Sequence, residues 1–286
     1  MQTPIDLEHL RQWVGRTRTD TDVVALRHAR LMAATVDGPD MLQPGDSLPP
    51  LWHWIYFLEG APRSKLGRDG HPARGDVLPP VPLPNRMWAG GRVEFEAPLP
   101  IGAAVEKRSQ VKNVEHKHGR SGDLVFVTVR HEVYAGDVRC IREEHDIVYR
   151  NPLPHGQPAR AEAAPAATAP AIGTVHRRDW TPDSTQLFRY SALTFNGHRI
   201  HYDADYCRNV EGYANLVIHG PLIATMVASL AAEAAGRPIS RFAYRAVSPS
   251  LLGATLALEA RIDGRQVSLT ATLPTGVVAM RADATA

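Results

Sequence analysis

The chain has 286 residues, 44% of them hydrophobic and 22% charged, enough apolar material for about two cored domains of roughly 150 residues each, which excludes a wholly disordered chain. Thirty-two Lys and Arg against thirty Asp and Glu leave a formal charge of +2, too small and too evenly spread for a surface that grips nucleic acid phosphates. The longest apolar stretch, 222–232, is eleven residues and is broken by Thr225 and Ser229, well short of the ~20 needed to span a bilayer.

Asp6, Glu8, Asp20 and Asp22 interrupt the first thirty residues, which hold no apolar block of signal-peptide type, so a cytoplasmic location is expected. The two cysteines, Cys140 and Cys207, are too few for a disulfide framework or a zinc site of several thiolates and read as ordinary thiols.

In chain order, the segment 51–58 follows Pro49 and Pro50, is rich in aromatic residues and takes the helical place. A Gly, Pro and Arg loop then leads to strands at 92–96, 105–114 and 147–149, and to a clean alternation of Val125, Val127, Val129 and Val133 that marks a sheet with one buried face. Residues 152–171, PLPHGQPARAEAAPAATAPA, carry five prolines and eight alanines and read as a linker. Beyond it, Leu222, Ile223, Met226, Val227 and Leu230 fall at helical spacing over 221–235, with Pro221 suited to the first turn. Period-two segments follow at 255–262 and at Val267, Leu269, Ala271 and Leu273.

Both halves therefore place a helix before several antiparallel strands. A local match agrees: 98–102 reads PLPIG and 249–253 reads PSLLG, each between strand-like segments. The chain reads as two related α+β units, with an N-terminal domain over 1–150, a Pro/Ala-rich linker over 151–174 and a C-terminal domain over 175–286.

The segment 190–222, YSALTFNGHRIHYDADYCRNVEGYANLVIHGPL, gathers the polar groups with most chemical potential. His198, His201, Asp203 and His219 have ligand-type side chains, although any one histidine in such a loop is more often simply hydrogen-bonded. The segment resembles the MaoC-like, R-specific enoyl-coenzyme A hydratases of the hot dog fold, whose motif is approximately Ser-Gly-Asp-x-Asn-Pro-x-His-x-Asp, followed by an apolar run, His-Gly and the central helix. The motif His falls on His201, the next Asp on Asp203, the His-Gly pair on His219 and Gly220, and the catalytic Asp position on Asn196. SALTFN-x-x-x-IHYD and EGY-x-x-LV-x-HGPL are closer still to two-domain acyl-thioester dehydratases. Those have relatives among mitochondrial 3-hydroxyacyl-thioester dehydratases and bacterial mesaconyl- and itaconyl-coenzyme A hydratases. The resemblance implies a double hot dog, each unit a sheet wrapped around a central helix, with the active site in the C-terminal unit and a degenerate N-terminal one.

Hydrating an α,β-unsaturated thioester needs a base for water, an acid for Cα and donors for the enolate-like oxygen. His201 suits the first two tasks, since its ordinary pKa of roughly 6.5 is close to working pH. Gly220 opens the helix, where free N–H groups and the positive end of the macrodipole can meet the thioester oxygen, and a side chain there would crowd the acyl carbonyl. Asn196 takes no proton at neutral pH, so it is expected to position water or to shape a turn. The preferred expectation is that His201 performs both transfers, the alternatives being help from Asp203 or from Glu59 in the other half.

Arg199, beside the base, is a candidate for a second carboxylate on the acyl group, for coenzyme A phosphates or for solvent. His198 and His219 are assigned to the substrate with it, and Arg86, Arg241 and Arg245 are further candidates for the nucleotide phosphates. The N-terminal half lacks the motif and is expected to provide space, with Trp52, Trp54, Tyr56 and Phe57 either lining that space or forming plain core. The expected activity is reversible hydration of a short branched dicarboxylyl-CoA, mesaconyl- or itaconyl-CoA to citramalyl-CoA. Dehydration of fatty 3-hydroxyacyl thioesters, thioester hydrolysis and silent acyl-thioester binding are the alternatives. No metal or redox cofactor is expected, coenzyme A entering only as part of the substrate, and neither nucleic acid nor membrane is an expected partner. Hot dog proteins commonly pair by sheet extension, which allows a homodimer, although two units in one chain already meet that need.

Overall fold

Each half of the chain builds five antiparallel strands on one plan. In the N-terminal half these are β1 (Thr17–Val23), β2 (Asn85–Phe95), β3 (Ala104–Gly119), β4 (Gly122–Ala135) and β5 (Val138–Arg150), lying side by side as β1-β3-β4-β5-β2. In the C-terminal half they are β6 (Thr174–Trp180), β7 (Arg241–Ala246), β8 (Leu256–Asp263), β9 (Gln266–Thr272) and β10 (Val278–Thr285), lying as β6-β8-β9-β10-β7. The two orders are identical, and the units meet where β2 pairs antiparallel with β7, from Gly90 opposite Arg245 to Glu94 opposite Arg241, giving one ten-stranded sheet. The computed structural model describes residues 4–72, 75, 77–119, 122–151 and 173–286. The linker expected at 152–171 lies outside the described residues.

The helices are α1 (Leu7–Arg11), α2 (Leu26–Val36), α3 (Ser184–Leu193), α4 (Ala204–Tyr206) and α5 (Gly220–Ala235). The sixteen residues of α5 bury Leu222, Ile223, Met226, Val227 and Leu230, and Ala224, Ala228 and Ala231 are buried between them. Such a helix, apolar on almost every side, is stable only inside a core. Thr225 is tolerated there because its Oγ1 donates to the carbonyl of Pro221 at 2.9 Å, and Gly236, in left-handed conformation at φ +62, ends the helix. Strands β8, β9 and β10 cover it. Burial of each of its large apolar side chains contributes about 1.5–3 kcal/mol, so α5 is the anchor of the C-terminal core. No helix among the described residues is long and apolar enough to cross a membrane.

The two units match in detail at the turns legible in the sequence. Gly102 and Gly253 have φ of +96 and +95, a conformation in which a Cβ is strained. Before the first turn, the N–H of Leu48 donates to the carbonyl of Leu99 at 2.8 Å, and before the second, that of Ile218 donates to Ser250 at 2.8 Å. This register makes Pro49 and Pro50 the counterparts, in the repeat, of His219 and Gly220. Past these positions the units diverge. The C-terminal unit continues into α5, whereas the N-terminal unit makes a single 3₁₀ turn, Trp52–Ile55. The aromatic segment at 51–58 is thus one turn and not a long helix, because Leu51 and Phe57 take left-handed backbone at φ +68 and +56 and fold Trp52, Ile55, Tyr56 and Phe57 into the core. The longest helix of this unit is α2, which corresponds in order to α3 and packs against it.

Candidate active site

The site is built from the loop between α3 and α5. Asp183 caps α3 by accepting the N–H of Gln186 at 2.7 Å, and Phe195, left-handed at φ +48, turns the chain off its far end. The N–H of Asn196 then donates to the carbonyl of Ser191 at 2.8 Å, and its Oδ1 accepts the N–H of His198 at 3.0 Å, closing an Asx turn. A 3₁₀ turn over Arg199–His201 follows, and Asp203 caps α4 by accepting the N–H of Tyr206 at 2.9 Å. The return strand is stitched to this turn, since the N–H of Val217 donates to the carbonyl of Ile200 at 2.9 Å.

That stitch fixes the chemistry of His201. Its Nδ1 lies 2.7 Å from the carbonyl oxygen of Val217. A carbonyl only accepts, so Nδ1 carries the proton and Nε2 keeps a lone pair. The ring of His219 stacks on that of His201, with centroids 3.6 Å apart and planes 19° from parallel, and the Nε2 of His219 is 2.8 Å from the hydroxyl of Ser191. Burial pushes His201 down to about 4, the bond to Val217 opposing the shift and His71 adding to it. Burial, with repulsion from His201 and His198, holds His219 well below the ordinary histidine range. Both imidazoles are neutral at working pH.

Directly after His219, α5 begins at Gly220. Its N–H lies in the first turn of the helix, without an intrahelical partner, and Pro221 has none to satisfy. A Cβ on Gly220 would come within 2.8 Å of Cε3 of Trp88. Trp88 is held face to face with Tyr244, centroids 4.4 Å apart, and edge-on to Trp54 at 5.6 Å. Glycine at this position is therefore required by an indole from the other unit. His201, Asn196, His198, Gly220 and Trp88 all line one cavity of about 1770 Å³ whose walls come from both units. A neutral imidazole with a free lone pair and a helix mouth on one cavity can move a proton and stabilise an oxyanion.

Residues 51–252 match the family described as hydroxyacyl-thioester dehydratase type 2. The chain belongs to that family. Within the hydroxyacyl-thioester dehydratase type 2 family and its relatives, the chain is 45% identical over 274 residues to a mesaconyl-C(4)-CoA hydratase of Chloroflexus aurantiacus, covering 94% of this chain and 95% of that protein. It is 29% identical over 238 residues to the mitochondrial hydroxyacyl-thioester dehydratase type 2 of Schizosaccharomyces pombe, covering 73% and 76%. Among solved structures, a MaoC-like dehydratase from Phytophthora capsici superposes with a TM-score of 0.70 at 16% identity over 98% of both chains. A Mycobacterium tuberculosis protein described as having a double hotdog fold superposes with a TM-score of 0.59 at 14% identity, over 95% of this chain and 96% of that one. The fold is a double hot dog, and the chain is an acyl-thioester hydratase of the hydratase and dehydratase class.

In this hydratase the segment picked out from sequence brings Asn196, His198, His201 and Gly220 to the cavity. Two residues expected at the substrate lie elsewhere. Arg199 is not part of the lining, because its guanidinium turns to Asp203 at 2.7 Å and covers the ring of Tyr206 at 4.2 Å. His219 is fully buried behind His201 and supports that ring. Of the arginines suggested for phosphates, Arg86 lines the cavity and Arg241 pairs with Glu94 at 3.1 Å. Trp52, Tyr56 and Phe57 are buried core. Among His198, His201, Asp203 and His219, no three gather as a metal cluster among the described residues.

Sequence reasoning passed over two contributions from the N-terminal unit. One is Trp88. The other is the loop carrying Asp69 and His71, which lines the cavity and sets the His71 ring 4.3 Å from that of His198. Asp69, His71 and His198 offer ligand-type atoms within 4.8 Å of one another, but Asp69 and His71 already satisfy each other by a hydrogen bond of 3.2 Å. The sequence signal for them was slight: two polar residues around Gly70 in a stretch of loop composition.

Proposed function

We propose that this hydratase adds water reversibly to a short branched dicarboxylyl-CoA thioester, with the C4 thioester of mesaconate as the leading candidate. The 45% identity to a protein named for that substrate supports the acyl group and its point of attachment. His201 takes the proton from water at Nε2, the oxygen of that water adds to Cβ, and the negative charge passes to the thioester oxygen. The N–H of Gly220 and the positive end of α5 receive that charge. The reading rests on one observation above all: Nδ1 of His201 is committed to the carbonyl of Val217, which leaves Nε2 as the base on the cavity that Gly220 also lines. Side chains and backbone supply both the proton chemistry and the oxyanion donors, so the mechanism uses no metal or redox group, and coenzyme A enters with the substrate.

A second reading, dehydration of longer 3-hydroxyacyl thioesters, is favoured by the cavity of about 1770 Å³, large beside the 300–1,000 Å³ of common ligand sites. A panel of enoyl- and 3-hydroxyacyl-CoA compounds, followed through the conjugated thioester absorbance, separates the two. The mesaconyl-C4 thioester is expected to give the highest kcat/KM, and His201→Ala to lower kcat by roughly 10²- to 10⁴-fold. Full activity in that variant, or release of free thiol in step with turnover, would refute the assignment.

A further inference from the structure

Hydration needs two proton transfers, and a carboxamide stands at Asn196 where a carboxylate would serve the second. The loop Asp69, Gly70, His71 comes from the N-terminal unit and docks on the turn that carries the site. The N–H of Arg199 donates to the carbonyl of Asp69 at 2.9 Å. Gly70, left-handed at φ +89, abuts Gly197 so closely that a Cβ on it would collide with the carbonyl of Gly197, and a Cβ on Gly197 would come within 2.9 Å of the carbonyl of Gly70. Two facing glycines thus permit a contact that any side chain would prevent. The docked loop holds its own carboxylate and imidazole together: Asp69 accepts the N–H of His71 at 3.1 Å and the ring Nδ1 of His71 at 3.2 Å. His198 stands between the His71 and His201 rings, with centroids 4.3 Å from the first and 5.5 Å from the second. Asp69, His71, His198 and His201 all line the cavity.

We propose that His71, oriented by Asp69, is the second proton carrier of the site and replaces the carboxylate missing at Asn196. The proposal rests on the hydratase reading above. In the forward direction, Nε2 of His201 takes one proton from water and the C–O bond forms at Cβ. The π electrons of the double bond move to the thioester oxygen as an enolate. Protonated His71 then delivers a proton to Cα, the enolate electrons form the Cα–H bond and the thioester carbonyl is restored. The proton on His201 returns to His71 through the solvent of the cavity that both line, so one water is consumed and nothing else changes.

Asp69 has the charge this needs. Burial raises its carboxyl, but the hydrogen bond and charge of His71 outweigh burial and keep it below the ordinary carboxylate range. A fixed carboxylate selects the tautomer of the imidazole and favours its protonated form. Asp69 is a positioning residue, and His71 is the group that meets the substrate. The charged and titratable groups around the pair include Arg68, Arg86, His198, Arg199, His201 and Tyr206.

The test compares His71→Gln, Asp69→Asn and His201→Ala by steady-state kinetics across pH, with urea unfolding as the measure of fold. His71→Gln is expected to lower kcat by roughly 10²-fold or more, leave KM little changed and remove the alkaline limb of the pH profile. Asp69→Asn should lose less and move that limb to lower pH, because the protonated imidazole loses its counter-charge. If His71→Gln unfolds, the shifted limb in Asp69→Asn still decides the matter. A His71→Gln enzyme with wild-type kcat and pH profile, alongside an inactive His201→Ala, overturns this inference and leaves the hydratase reading intact. Loss of wild-type activity on chelation, with restoration by a divalent cation, also overturns it. Activity surviving in His201→Ala strikes the hydratase reading itself.

Discussion

The imidazoles of His201 and His219 lie face to face, 3.6 Å between centroids. Two buried rings at that separation cannot both be charged without severe repulsion, and His201 lowers the affinity of His219 for a proton. The stack fixes the plane of the base, whose edge is already pinned by Val217. Burial keeps that base neutral.

The pH dependence follows from the sign of these shifts. His201 is depressed to about 4 by burial, against an ordinary value of roughly 6.5. Above ~6.5 neither the folded nor the unfolded chain binds this proton and stability is unaffected. As pH falls below that, the unfolded chain takes the proton first, and stability declines until about 4, where the folded chain takes it too. Burial depresses His131, His145, His198 and His219 in the same direction, so the decline is steeper than one histidine produces. Urea unfolding at steps from pH ~7.5 to ~4 measures it, and a flat profile would contradict the burial argument. The acidic limb of kcat/KM is expected near 4.

Gly220→Ala places a methyl group against Trp88 at the mouth of α5. Overpacking of this kind costs about 1–3 kcal/mol, and displacement of the first turn weakens an oxyanion donor worth about 3 kcal/mol of barrier. Both the urea midpoint and kcat should fall. Adding Trp88→Leu should restore much of the midpoint and little of kcat, because Trp88 also shapes the cavity wall.

Glu143, on β5, is buried and accepts from His53 at 2.9 Å and from the indole of Trp54 at 3.0 Å. Burial raises its carboxyl, but His53 and the neighbouring His131 and His145 outweigh this and hold it at about 2. Glu143→Ala strands His53 and Trp54 in the core and is expected to cost about 3–5 kcal/mol. Chemical denaturation reads the loss. Glu143→Gln, which keeps an acceptor, should lose less.

Arg199→Ala removes a solvent-screened pairing with Asp203, and such pairs contribute little to stability. KM for a dicarboxylyl thioester should stay near the wild-type value, and a large rise would return Arg199 to the substrate.

Local pattern explains how far the residues alone reach. The apolar run from Leu222 to Leu230, with Pro221 before it and Gly236 after it, announced α5, and Val125 to Val133 announced a half-buried strand. The turns at Gly102 and Gly253 gave away the repeat, because only an unusual backbone angle makes the same glycine spacing useful twice. His201 and Gly220 were legible because they sit close in sequence on the segment that builds the site. Trp88 and His71 were not, since the residues they meet, Gly220 and His198, are more than a hundred positions away. Arg199 misled because nothing local distinguishes a guanidinium facing a ligand from one folded back onto Asp203. The short N-terminal turn was hidden for a related reason: aromatic residues at 52–57 suit a helix as well as a tight core turn, and tertiary packing decided between them.

The pairing of β2 with β7 leaves the sheet with two rims, β1 and β6. Their sequences, TRTDTDV and TVHRRDW, are crowded with ionised groups. A further strand laid along either rim would have to strip water from those groups. The charged rims thus discourage lateral growth into fibres or stacked ribbons.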